Sequence, residues 1–194
     1  RSAAVKIKNL FTSINSQVQR GLYAFVQIEV SYSNDESSLI VISKGMKMTT
    51  LASKINDSSS DWYENPDLRC ADGQDWDDDG FLDNKLEVSS LEFKDIAVDF
   101  EDDSGTVCFS KDGTWFSGSA KFVSGGSVDS VFFICEQTSE IKKCDLSKTE
   151  PIKPNIEDKN SPFFHDNLFA LNWSRFGSIT LEKWSNSKKD WILQ

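Results

Sequence analysis

Residues 2–20 read SAAVKIKNLFTSINSQVQR. Ile7, Phe11, Ile14 and Val18 recur at intervals of three and four, with Leu10 beside them, so on a helix they make one apolar stripe. Ser2 can cap the start of that helix. Gly21 can close its end, because glycine tolerates the left-handed conformation found just past many helices. About twenty residues at a rise of about 1.5 Å make a rod of roughly 30 Å, long beside the short elements that follow. The expectation is a spine helix over 1–21 whose core face is Ile7, Phe11, Ile14 and Val18. The chain starts at Arg1, already in the first turn, which reads as a longer helix cut short.

Past Gly21 the period changes from helical to strand-like. Ala24, Val26, Ile28 and Val30 alternate with Phe25, Gln27 and Glu29, the mark of a strand with one buried face. SNDESS at 33–38 reads as a turn and LIVIS at 39–43 as a central strand, with Gly45 allowing a bend before MKMTTLAS continues. The polar stretch 54–70 reads as loop. FLDNKLEVSSLEFKDIAVDFED supplies two more short strands, and GTVCFSKDGTWF reads as a hairpin turning at Lys111-Asp112-Gly113. SVFFICEQ is a further strand, residues 136–167 an exposed loop, and ALNWSRFGSITLEKWS a closing hairpin turning near Arg175-Phe176-Gly177. One helix followed by short antiparallel strands is an α+β arrangement, a single domain over 1–194 with its β-rich part at 22–194.

The chain of 194 residues holds 31 acidic against 21 basic residues, a net charge of −10. That field repels phosphate backbones and argues against nucleic acid as a partner. Lys142, Lys143, Lys148 and Lys153 are scattered among acids, and Arg175, Lys183, Lys188 and Lys189 are spread through the aromatic-rich tail, so neither set reads as a basic patch. No run of eighteen or more apolar residues is present. The four cysteines, Cys70, Cys108, Cys135 and Cys144, lack CxxC spacing and read as two disulfides formed in an oxidising compartment, with buried free thiols as the alternative. Of three connectivities, Cys135 with Cys144 and Cys70 with Cys108 is favoured, and spacing alone leaves the pairing open.

Four stretches in this order resemble the soluble part of a type IV pilin-like protein of the GspH/FimT/FimU family of minor pilins and pseudopilins. They are the amphipathic helix ending Gln19-Arg20-Gly21, the segment DWDDDGFLDNKLEV, the hairpin TVCFSKDGTWFSG before SVFFICE, and the terminal ALNWSRFGSITLEKW. The resemblance implies a long N-terminal helix packed on antiparallel sheet, with a membrane-spanning half of the helix upstream of Arg1. It implies a protein that works by association rather than turnover. Its partners would be other minor and major pilins, and it would be anchored in the inner membrane before assembly into a pilus on the bacterial cell surface. A pseudopilin of type II secretion has the same fold and logic. On that reading Lys6, Lys8, Asn9, Asn15 and Gln19 face neighbours or solvent. The family's DNA-uptake members carry a Gly-Arg-x-Arg motif in the last hairpin, where this chain has Ser174-Arg175-Phe176-Gly177-Ser178 with one arginine.

The densest chemical signal is ADGQDWDDDGFLDN. Asp75, Asp77 and Asp79 at alternate positions, then Gly80 and Asp83, match the opening of a calcium loop, in which alternating carboxylates converge on a hard cation. The bidentate glutamate of a full loop would fall at Leu86, with Glu87 one place later. An acidic Asp-Gly hairpin turn is the alternative reading, and calcium is the one cofactor the residues suggest. His165, the only histidine, has no identifiable serine or cysteine partner, and the paired carboxylates of DWDDD and FEDDSG are of a kind an acidic chain produces by chance, so no catalytic site or small-molecule substrate is expected. Six tryptophans, at 62, 76, 115, 173, 184 and 191, raise a further class, a secreted calcium-dependent module that stacks sugars on aromatic rings.

Overall fold

The computed structural model describes residues 2–32, 38–58, 84–94, 96–99, 104–111, 113–116, 130–136, 144, 146–147, 153–155, 167–174 and 177–194. Helix α1 spans Ser2–Gln19 and buries Ala4, Ile7, Phe11, Ile14 and Val18 on one face. Ser2 is its first helical residue rather than a cap outside it. The C-terminal end closes as a Schellman motif: the N–H of Gly21 donates to the Val18 carbonyl at 2.9 Å and that of Leu22 to the Gln17 carbonyl at 3.1 Å, with Gly21 at φ 77°.

Two antiparallel five-stranded sheets follow, and α1 packs between them. The first has the order β3-β2-β1-β5-β6, with β1 at Phe25–Tyr32, β2 at Ser38–Met46, β3 at Glu87–Lys94, β5 at Ser104–Ser110 and β6 at Gly113–Phe116. The second has the order β10-β9-β8-β7-β4, with β4 at Ile96–Asp99, β7 at Ser130–Glu136, β8 at Phe169–Trp173, β9 at Ile179–Ser185 and β10 at Asp190–Leu193. The chain changes sheet between Lys94 and Ile96: β3 pairs with β2, and β4 with β7.

Strand alternation explains why the core forms where it does. Val26, Ile28 and Val30 of β1, Leu39 and Val41 of β2, and Val107 and Phe109 of β5 share the face turned to α1, as do Ile134, Phe169, Leu171, Trp173 and Leu181 of the second sheet. Phe11 is fully buried between the two layers. Its ring meets Phe109 of the first sheet edge-on at 5.8 Å and Trp173 of the second, tilted, also at 5.8 Å. The outer faces carry two smaller clusters. On the first sheet Ala24, Met46, Leu51 and Cys108 pack together, and on the second Phe133, Cys135, Cys144, Leu146, Leu168, Ala170 and Trp184.

Three sequence expectations need correction. MKMTTLAS does not prolong a strand: β2 stops at Met46 and a second helix, α2, spans Met48–Ile55, presenting Leu51 to the outer-face cluster. The tail adds β10, which lays Trp191 opposite Trp184. The stretch 136–167 is not simply exposed, since Cys144 and Leu146 are buried and Leu146 bridges to Pro154. Among the described residues, no helix is long and apolar enough to cross a membrane.

Candidate functional site

Cys135 and Cys144 are joined by a disulfide across nine positions, which pins the start of the long excursion to the outer face of the second sheet. Cys108 is also disulfide-bonded, and its expected partner Cys70 lies outside the described residues. The calcium candidates Asp75, Asp77, Asp79 and Asp83 lie outside them too, as do His165, Trp62 and Trp76. Trp173 and Trp184 are buried and Trp191 half-buried, with Trp191 against Phe133 and Trp184 at 5.4 Å from each. These three rings pack the sheet faces and offer no open stacking platform.

Helix residues expected to face outward divide. Lys6 and Asn9 are exposed, whereas Asn15 is turned inward and its amide donates to the Gly177 carbonyl at 3.0 Å. Gln19 reaches the Ser110 carbonyl at 3.5 Å, a long contact at the helix end. Asn15 thereby ties α1 to the closing hairpin. That turn is built by Ser174: the Gly177 N–H donates to its carbonyl at 2.9 Å, and the Ser178 N–H to its hydroxyl at 3.1 Å. Gly177 has φ 81°, and a Cβ there would lie 2.8 Å from the Asn15 amide, so only glycine fits.

Beside α1, a half-open notch of about 300 Å³ separates the helix flank from β2 and β3. Leu10, Ser13 and Gln17 wall one side, and Ser43, Gly45 and Ser89 form the floor. The floor arises because the α1-facing residues of β2 and β3 change together, from Val41 opposite Leu91 to Ser43 opposite Ser89 and Gly45 opposite Glu87. Small side chains here leave room that α1 does not fill. Gly45 also admits the Tyr23 ring, since a Cβ would stand 2.7 Å from its Cε1.

Tyr23 closes one end of the notch. Its hydroxyl donates to Glu87, whose other oxygen pairs with Lys47. Hydrogen bonding from Lys47, and next from Tyr23, holds the Glu87 carboxyl below the usual glutamate range, while the bond to Glu87 raises the Tyr23 hydroxyl above the usual tyrosine range. With both oxygens engaged, Glu87 fastens the post-helix loop, the start of α2 and β3 to one another and is not poised as a base. A second cleft, of about 320 Å³, lies between the start of α1 and the second sheet, with Ile96, Ile134 and Phe169 in its wall and Lys94 and Glu136 at its rim. Among the described residues no group of three or more His, Cys, Asp or Glu could hold a metal. The arrangement offers surfaces and notches for contact, built where the flank of α1 meets strands of each sheet.

No family model, curated protein or solved structure matches the chain.

Proposed function

We propose that the chain is an assembly subunit of a type IV pilus-like filament, a minor pilin of the FimU/FimT type that acts by association with other pilins. The observation that supports this most is the burial of one stripe of α1 between two antiparallel sheets, while the opposite face exposes Ser2, Val5, Asn9, Thr12 and Ser13 with Lys6 as its one charge. A helix that is apolar toward its own domain and carries little charge on the other side suits packing against neighbouring helices, where each charge is costly to desolvate. In this reading the protein is held in the inner membrane by an upstream helical half before assembly, and on the cell surface afterwards. Its strand domain then meets partner pilins.

The test is to read the coding sequence upstream of Arg1. The expected result is a short basic leader ending in glycine, followed by about 25 apolar residues with an acidic residue at the fifth place, enough to span a bilayer. A conventional cleaved signal peptide joined directly to Arg1 would refute the filament reading.

A further inference from the structure

Helix α1 carries no carboxylate. In a chain with 31 acidic residues the first of them, Glu29, stands in β1, so the 18 residues of α1 hold Lys6 and Lys8 and no acid. Ser2, Val5, Asn9 and Thr12, spaced by three, four and three, form one exposed stripe on the side away from the buried face. The stripe runs about 15 Å along the helix at a rise of about 1.5 Å per residue. Lys6 follows Val5 by one position and Lys8 precedes Asn9 by one, so a turn of about 100° each way puts the two cations on opposite borders of the stripe. Lys6 is exposed and Lys8 half-buried, and among the described residues neither enters an ion pair.

Another helix can cover this stripe at small cost. The side chains along it are short, which allows close approach, and the Thr12 hydroxyl already donates to the Lys8 carbonyl at 2.9 Å. Asn9 would hydrogen-bond across the contact, as a polar residue in a helix seam does where it fixes register. Charge then selects the partner. Two copies of α1, in either direction and any register, bring Lys6 and Lys8 only against neutral or basic side chains, since neither copy offers an acid. Charges bordering a helix–helix seam set partner choice, and like charges brought together oppose the pairing.

We propose that the exposed stripe of α1 packs against the helix of a different subunit, one that carries carboxylates where it meets Lys6 and Lys8, and not against a second copy of this chain. That the partner is a filament subunit rests on the filament reading; the charge selection rests on α1 itself. A run of short side chains with one cation on each border fits a second helix, whereas an extended anion would meet two lysines and a chain whose net charge is −10.

The experiment uses the charge-reversed helix as the probe. A Lys6→Glu/Lys8→Glu variant carrying a nitroxide on Val5→Cys is mixed with the isotope-labelled unmodified chain, each at about 0.5 mM, where a Kd of about 1 mM leaves a measurable bound fraction. The described cysteines are all disulfide-bonded, so the nitroxide attaches to the introduced thiol. The acid-bearing probe is expected to broaden the amide signals of residues 2–13, and to do so at least about threefold less when salt rises from about 50 to about 300 mM. A probe labelled at the same cysteine but keeping Lys6 and Lys8 should not broaden them. Neither should one with Lys153→Glu/Lys188→Glu, the same change of charge at exposed sites outside α1. Circular dichroism shows that each probe is folded. Equal broadening by the lysine-bearing probe, none by the acid-bearing probe, activity of the Lys153→Glu/Lys188→Glu probe, or stronger broadening by phosphatidylglycerol vesicles than by the acid-bearing probe would each overturn the proposal. The filament reading is decided separately, by the coding sequence upstream of Arg1, so either can fail alone.

Discussion

Phe11→Ala is the substitution that tests the architecture most directly. Phe11 is completely buried and is the side chain whose ring touches both sheets, at 5.8 Å from Phe109 and 5.8 Å from Trp173. Burying such a side chain contributes about 1.5–3 kcal/mol, and each aromatic pair about 0.5–1.5 kcal/mol more. Truncation leaves a phenyl-sized void between two sheets that cannot collapse independently, so the expected loss is about 3–5 kcal/mol. For a chain of this size each kcal/mol moves the melting temperature by about 2–4 °C, which gives a drop of about 6–20 °C. Urea denaturation followed by tryptophan fluorescence measures the loss. Val5→Ala, on the exposed side of the same helix, should stay within about 0.5 kcal/mol. A Phe11→Ala cost below about 1 kcal/mol would mean that α1 does not hold the two sheets together.

The other predictions concern single fastenings. Replacing Cys135 and Cys144 by serine frees a loop closed across nine positions; the chain-entropy relation puts the loss at about 2.6 kcal/mol, readable as a lower melting temperature that reducing agent no longer changes in the variant if the remaining disulfide is left intact. Gly177→Ala should cost more than about 1 kcal/mol, since it strains a φ of 81° and presses a Cβ on Asn15, whereas Asn15→Ala should cost about 1 kcal/mol for one lost hydrogen bond. Glu87 has a depressed folded-state pKa, so its contribution is present above the unfolded glutamate value and is lost as pH falls through the folded one. The Tyr23 hydroxyl is raised, so its share is present below about pH 10 and is lost as pH rises through its folded value. Glu87→Gln should therefore flatten the acid limb of a stability-against-pH profile, and an unchanged acid limb would count against the Lys47–Glu87–Tyr23 fastening.

What could be read from residues alone follows the physics of each signal. The spacing of Ile7, Phe11, Ile14 and Val18 marks a helix face because side-chain direction repeats every 3.6 residues, and those four are buried in the fold. The strand around Val26 was likewise visible as alternation, and those around Val107 and Leu171 as arms of hairpins. Alternation tells which residues share a face but not which sheet the strand joins. Nothing in LEFKDIAV announces that Phe93 pairs with Leu39 while Val98 pairs with Ile134 in the other sheet. Helix α2 was missed because its Thr49-Thr50 pair favours strand and its eight residues, MTTLASKI, are too few to form a helix without the packing of Leu51 on Met46 and Cys108. The notch beside α1 was hidden for a third reason. Leu10, Tyr23, Ser43 and Ser89 are far apart in the chain, and only the packing of α1 beside β2 and β3 brings them around one notch. Local pattern fixes which face of each element is buried; long-range pairing decides which exposed residues become neighbours.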